Sequence, residues 1–138
     1  MKIVICGSMS ASKEMVRIEK ELLKLNHIVI LPKNTHDYAN EVLSPETHEE
    51  SAKHKIQEDL IKAYFAKIKE SKAVLIVNTH KGEKLHYIGG NTLIEMAFAH
   101  VLNKRLYVLN ELLDSPTYHD EIIALRPIII NGDLTKII

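Results

Sequence analysis

Short, continuous runs of apolar residues alternate along this chain with longer segments of helical periodicity. The runs are KIVIC at 2–6, HIVIL at 27–31, AVLIV at 73–77, and two further strands at 105–109 and 127–130. Strands that are buried on both faces form continuous apolar runs, and strands that alternate with helices favour a parallel sheet. The pattern therefore predicts a single α/β domain over residues 1–138. We expect a flavodoxin-like or Rossmann-like three-layer sandwich with five parallel strands, in the order 2-1-3-4-5.

Helical periodicity fills the segments between the strands. Met15, Ile18, Leu22 and Leu25 predict an amphipathic helix that Ser10 or Ser12 caps and Asn26 ends. Ile56, Leu60, Tyr64 and Ile68 predict one long helix from Ala52 onward, and a further helix is expected near Tyr118–Leu125. The segment 33–51 is polar and lacks an apolar period, which is typical of a functional lid or a mobile loop.

Charge and cysteine content exclude several classes of protein. Lysine plus arginine and aspartate plus glutamate number 18 each. The chain therefore has no excess of positive charge that would attract nucleic acid or an anionic membrane. The single cysteine, Cys6, excludes an internal disulfide and favours a reducing compartment. No apolar run is long enough to span a bilayer, and Met1 leads directly into the first strand without a secretory signal. We therefore expect a cytoplasmic protein with no nucleic-acid or membrane partner.

The stretch YIGGNTLIEMAFAHVLNKRLYVLN at 87–110 predicts the functional region. Gly89 and Gly90 allow a tight turn and the close approach of a ligand to the backbone. Asn91 and Thr92 can cap the helix that follows, which is apolar on nearly all sides. Glu95 is the only acidic residue in that helix, and it lies where ligands bind in parallel α/β sheets, at the carboxyl ends of the strands.

Two roles compete for Glu95. Thr92-Leu93-Ile94-Glu95 fits a capping box, in which the glutamate accepts a hydrogen bond from the threonine amide. Alternatively, an ionised carboxylate in a glycine-lined cleft is a suitable nucleophile toward an electrophilic sugar carbon. The spacing of the residues leaves both roles open.

The loop after strand 1 is a second candidate binding element. Gly7, Ser8 and Ser10 precede a helix, and backbone amides and hydroxyls at that place can bind an anion or a ribose. A plain strand-to-helix turn with a serine cap explains the same residues. The eight histidines are scattered without metal-ligand spacing, so we expect neither a metal nor a cofactor. We expect Cys6 to be a small core residue.

The segments KIVICGSM, AVLIVN and YIGGNTLIEMAFAHVLNKRLYVLN together resemble the nucleoside 2-deoxyribosyltransferase-like superfamily. That group includes deoxyribosyltransferases and related nucleoside 5′-monophosphate N-glycosidases. The resemblance implies that Glu95 attacks the anomeric carbon of a (deoxy)ribose, releases the base, and passes the sugar to another base or to water. It also implies that Gly7, Ser8 and Ser10 contact the sugar or a 5′-phosphate.

The chain departs from the transferase pattern at three places. Asn78 and Asn91 stand where the transferases commonly carry aspartates, and strand 1 reads Ile5-Cys6 where the transferases carry an orienting tyrosine. We expect Asn78, Gly89, Gly90 and Asn91 to bind a nucleoside or nucleotide, although an amide cannot donate a proton as a carboxylic acid does.

Three hypotheses for the function remain. They are an enzyme that acts on an N-glycosidic bond, a non-catalytic binder of nucleotides or nucleoside derivatives, and an assembly protein. The apolar helices at 93–102 and 56–68 also predict a homo-oligomer, at least a dimer.

Overall fold

The computed structural model describes residues 1–44, 47–113 and 118–138, apart from the side chains at positions 48, 54, 55, 57 and 58. Within these residues the strands are β1 (Lys2–Cys6), β2 (Ile28–Ile30), β3 (Ala73–Ile76), β4 (Arg105–Val108) and β5 (Ile128–Ile129). They form one parallel sheet in the order β2-β1-β3-β4-β5. The predicted fold class and strand order are therefore confirmed.

Helices cover the sheet and connect its strands. They are α1 (Ser12–Lys24), α2 (Thr35–Ala39), α3 (His48–Glu58), α4 (Leu60–Lys69), α5 (Gly90–Val101) and α6 (His119–Ala124), with short 3-10 helices at Met9–Ala11 and Leu134–Lys136. The strand β1 lies between β2 and β3. The direction in which successive strands are added to the sheet therefore reverses between β1 and β3, which is the topological switch point. In such sheets the crevice for a ligand opens at the carboxyl ends of the strands near this switch.

Two apolar layers, one on each face of the sheet, form the core. On one face Ile3 and Ile5 of β1 pack with α1, including Met15 and Leu22. On the other face Val4 and Cys6 pack with α4 and α5, including Tyr64, Ile68, Met96 and Ala99. Alternate residues of β1 thus serve opposite layers, as the pleat of a strand requires.

The start of α1 differs from the prediction. Residues Met9–Ala11 form a 3-10 turn that Ser8 caps, and α1 then begins at Ser12 without a side-chain cap. The prediction that Ser10 or Ser12 caps α1 is therefore wrong, because the tighter turn supplies the chain reversal before the α-helix starts. Leu25 is 42% exposed and lies beyond the end of α1, so it does not extend the buried face.

The segment between β2 and β3 also differs from the prediction. A loop was expected at 33–51, but α2 occupies part of it and α3 begins at its end; positions 45 and 46 lie outside the described residues. The prediction of one long helix from Ala52 onward is wrong as well, since Asp59 adopts a left-handed φ of 48° and separates α3 from α4. That break changes the helical phase, so Ile56 is 81% exposed whereas Tyr64 and Ile68 are buried.

Candidate functional site

The helix α5 places Glu95 one and a half turns from its start. The helix begins at Gly90, and Gly89 is its N-cap residue with no side-chain cap hydrogen bond. Thr92 is thus inside the helix, so Thr92 and Glu95 cannot form the predicted capping box, which needs a glutamate at the third helical position. The capping role is wrong because the helix begins three residues earlier than the capping box suggested, with Gly89 as its N-cap in place of Thr92.

Glu95 is instead held by a side chain of its own helix. Its Oε1 accepts a hydrogen bond from Asn91 Nδ2 at 2.6 Å, one helical turn earlier. The Glu95 residue is 7% exposed. Residues four apart in a helix share one face, which explains how Asn91 reaches the carboxylate. The arrangement fixes one carboxylate oxygen of Glu95.

Two neutral groups adjoin this carboxylate from β1 and α4. Burial raises the pKa of the Cys6 thiol well above its ordinary value, and the charge of Glu95 and a hydrogen bond to it raise that pKa further. Burial also raises the pKa of the Tyr64 phenol, with smaller contributions from Cys6 and Glu95. The Tyr64 hydroxyl donates to the Ile5 carbonyl. The Cys6 thiol is therefore protonated in the folded protein and is a poor nucleophile.

Asn78 joins the carboxyl ends of two neighbouring strands. Its Nδ2 donates to the Asn110 carbonyl at 3.0 Å, and its Oδ1 accepts from the Asn110 amide at 2.9 Å. Asn110 Nδ2 in turn donates to the Asn78 carbonyl at 3.1 Å. The Asn78 side chain is fully buried. This exchange holds together the points at which the loops after β3 and β4 leave the sheet.

A cavity of about 480 Å³ lies between the loop that precedes α5 and the start of α6. Among its lining residues are Lys84, His86, Tyr87, Gly89, Gly90 and His119. Of the predicted site residues, Gly89 and Gly90 line the cavity. The described lining does not include the other predicted site residues, which are Glu95, Gly7, Ser8, Ser10, Asn78 and Asn91. The structure thus separates the glycine pair from the first-strand loop.

The three candidate glycines differ in what a side chain would meet. A Cβ at Gly7 would lie 2.6 Å from Met15 Cε and 2.9 Å from the Val77 carbonyl oxygen, so packing requires glycine there. A Cβ at Gly89 would lie 2.9 Å from the Tyr87 hydroxyl. A Cβ at Gly90 would meet nothing within 4 Å. The first turn of α5 therefore borders open space at Gly90.

The serines of the first-strand loop bond to one another. Ser8 Oγ accepts from the Ser10 amide at 3.4 Å and lies 3.1 Å from Ser10 Oγ. These bonds cap the 3-10 turn at Met9–Ala11. The two hydroxyls form a polar pair directly after β1, which is the position that the sequence predicted for a sugar or phosphate contact.

The loop between β3 and α5 carries two lysines that lie against an aromatic ring and a histidine bonded to the segment after β4. Lys81 and Lys84 place their ammonium groups 5.0 Å and 5.5 Å from the centroid of the Tyr87 ring. His86 adopts a left-handed φ of 46°, and its Nδ1 lies 2.8 Å from the Glu111 carbonyl oxygen. His86 is not among the site residues that the sequence predicted. Its position shortly before the glycine pair was the available signal.

Comparisons with protein-family models, with curated proteins and with solved structures each find no match for this chain. The superfamily resemblance therefore stays a prediction from the sequence. Among the helices of the described residues, none combines the length and apolar character needed to cross a bilayer. In the same residues, no group of three or more His, Cys, Asp or Glu side chains is arranged to hold a metal ion.

Proposed function

We propose that this protein cleaves or transfers the N-glycosidic bond of a nucleoside or nucleotide, with Glu95 as the nucleophile. The observation that carries the proposal is the fixed, buried carboxylate of Glu95, which is 7% exposed and held by Asn91 at 2.6 Å. Burying a carboxylate is unfavourable, and such groups concentrate at functional sites. The capping box no longer explains Glu95, since α5 begins at Gly90.

The proposed reaction proceeds in two displacements at one carbon. A Glu95 carboxylate oxygen attacks the anomeric carbon, and the electron pair of the carbon–nitrogen bond goes to the departing base. Asn91 holds the carboxylate in its reactive orientation through the bond to Oε1. A second base or a water molecule then attacks the glycosyl ester and restores the carboxylate. Transfer and hydrolysis differ only in this second nucleophile.

The fold supports a small ligand at this end of the sheet. The cavity of about 480 Å³ borders Gly89 and Gly90, and its size falls within the range of small-molecule sites. The polar pair of Ser8 and Ser10 follows β1 at the topological switch, where we assign the sugar or a 5′-phosphate. Asn78 supports this end of the sheet through its bonds to Asn110.

We also propose that the protein is a homo-oligomer, at least a dimer, through α4 and α5. These helices expose Ile61 at 38%, Ile94 at 41% and Val101 at 74%. Phe65 and Phe98 form an edge-to-face ring pair between the two helices, with centroids 5.0 Å apart. Association of two copies would remove this apolar surface from water.

One observation favours a second candidate, a non-catalytic binder of nucleotides or nucleoside derivatives. Glu95 is absent from the described lining of the cavity, whereas Lys84, His86 and Tyr87 belong to it. A binder would use the cations and the aromatic ring and would leave Glu95 as a structural group bonded to Asn91.

A substrate panel separates the two candidates. Deoxyadenosine, and the deoxynucleoside monophosphates, would each be incubated with the protein, with and without free cytosine, and the bases analysed by chromatography. If the protein is the proposed enzyme, deoxyadenosine should release adenine, or should form deoxycytidine when cytosine is present. The binder reading predicts intact substrates together with a rise in the melting temperature on adding nucleotide.

A further inference from the structure

Two lysines of the loop between β3 and α5 are held side by side next to the cavity. Lys81 and Lys84 exchange two backbone hydrogen bonds, of 2.8 Å and 3.0 Å, around a turn in which Gly82 adopts a φ of 58°. Their ammonium groups lie 5.0 Å and 5.5 Å from the centroid of the same ring, that of Tyr87. The backbone pairing and the shared ring thus hold two positive charges on one small part of the surface.

The charges of these two lysines are not balanced by a carboxylate among the described residues. Neither Lys81 nor Lys84 forms an ion pair there, and Glu83, which lies in the turn between them, forms none either. Like charges on directly paired residues repel, so the arrangement is unfavourable by itself. One lysine against a tyrosine is common surface packing, but two uncompensated charges on one ring suit an external anion.

The cavity next to this pair has the lining of a small-molecule site. Lys84 and Tyr87 belong to the described lining, and they connect the lysine pair to the cavity. The lining also has five aliphatic residues, Leu85, Ile88, Leu112, Leu113 and Ile122. Among its described residues there is no aspartate or glutamate. Apolar walls with a few polar groups are typical of pockets for small organic ligands, and a lining without acidic side chains admits a negative charge.

We propose that this cavity binds a phosphate monoester, whose phosphate is held by the ammonium groups of Lys81 and Lys84 and whose organic part lies against the apolar wall. A phosphate monoester carries about 1.5–2 negative charges at neutral pH, so it balances both lysines, whereas a carboxylate balances only one. Ammonium groups donate charge-assisted hydrogen bonds to phosphate oxygens. The volume of about 480 Å³ falls within the range of small-molecule sites.

This site is separate from the groups assigned to the glycosidic reaction. The described lining includes neither Glu95 nor the serine pair of Ser8 and Ser10. Binding of a phosphate monoester in the cavity therefore does not depend on whether Glu95 is a nucleophile.

A nucleotide compared with its nucleoside measures the contribution of the phosphate. Isothermal titration would use deoxyadenosine 5′-monophosphate, deoxyadenosine and inorganic phosphate, with the wild-type protein and with Glu95→Gln, in which the proposed reaction cannot consume the ligand. Lys81→Met and Lys84→Met, singly and together, remove the charge and keep an unbranched side chain beside Tyr87. Lys20→Met is the matched control, because Lys20 is exposed on α1 and outside the described lining.

The wild-type protein should bind the nucleotide at least about 100-fold more tightly than the nucleoside, and each single lysine variant should lose about 10-fold in nucleotide affinity. The double lysine variant should bind both ligands equally, with its nucleoside affinity unchanged, and Lys20→Met should keep the wild-type difference. Inorganic phosphate should compete with the nucleotide for the wild-type protein.

Three results would overturn the proposal. They are equal wild-type affinities for nucleotide and nucleoside, wild-type nucleotide affinity in the double lysine variant, and no binding of nucleotide or phosphate up to millimolar concentration. Lysine-dependent nucleotide binding by a protein that releases no base would leave this site in place and remove the proposed reaction. Base release by a protein whose nucleotide affinity does not depend on the two lysines would do the reverse.

Discussion

Asn91 Nδ2 donates to Glu95 Oε1 at 2.6 Å, from a position one turn earlier in α5. This contact replaces the threonine cap that the sequence suggested for the same carboxylate. In the proposed reaction Asn91 is a positioning residue, because it acts on Glu95 and not on the substrate. It stands where the resemblance would place a transferase aspartate.

Asn91→Ala should lower kcat/KM for base release by about 10–100-fold, the factor that corresponds to loss of a hydrogen bond to a charged group. Stability should fall by about 1–3 kcal/mol as well, since the bond is lost from a carboxylate that is 7% exposed. Steady-state kinetics and urea unfolding measure the two effects. Asn40→Ala, at an exposed asparagine that ends α2, is the control. Equal kinetics in the two variants would remove Asn91 from the site.

Gly7→Ala and Gly90→Ala should have opposite effects on stability. The Cβ at residue 7 would lie 2.6 Å from Met15 Cε and 2.9 Å from the Val77 carbonyl, so Gly7→Ala should destabilise the protein by about 1–3 kcal/mol. At residue 90 nothing lies within 4 Å, and alanine in a helix should stabilise by up to about 1 kcal/mol. Thermal unfolding of both variants measures this difference.

Gly90→Ala should also weaken nucleotide binding, because the methyl group would occupy open space beside the cavity. Isothermal titration with a deoxynucleoside monophosphate measures the affinity. Wild-type affinity in a stabilised Gly90→Ala protein would show that no ligand approaches the first turn of α5.

Cys6 should resist alkylation in the folded protein. Its thiol is fully buried, and burial and the charge of Glu95 both raise its pKa. The reactive thiolate is therefore disfavoured in the native state, and the pH at which alkylation begins should be higher than in the unfolded chain. Iodoacetamide labelling at pH 8.5, with and without urea, followed by mass spectrometry, measures this protection. Rapid labelling without urea would contradict the placement of Cys6 beside Glu95.

Val101→Glu should dissociate the oligomer that we propose. Val101 is 74% exposed at the end of α5, and a carboxylate there could not be buried against a second copy without a large penalty. Light scattering at micromolar concentration should show a dimer or larger assembly for the wild type and a monomer for the variant. Ile128→Glu is the control, because Ile128 is 51% exposed on β5, away from α4 and α5. A monomeric wild type would refute the proposal.

The sheet could be predicted from the sequence because continuous apolar runs such as those at 2–6 and 73–77 leave little alternative to buried parallel strands. Helix boundaries were harder to predict, because a residue in a left-handed conformation, such as Asp59, ends one helix and starts another without a marked change in the sequence pattern. The site was predicted only in part. The bond of Tyr64 to the Ile5 carbonyl and that of His86 to the Glu111 carbonyl are long-range contacts that periodicity does not encode. The superfamily, the reaction and the cytoplasmic location stay predictions.

The most direct test of the central claim is base release by Glu95→Gln. Glutamine keeps an oxygen that can accept from Asn91 Nδ2, so circular dichroism should show an intact fold. An amide is a far poorer nucleophile than a carboxylate, and turnover on deoxynucleosides or their monophosphates should therefore fall by several orders of magnitude. Wild-type turnover in a folded Glu95→Gln protein would contradict the account and leave the reaction without its nucleophile.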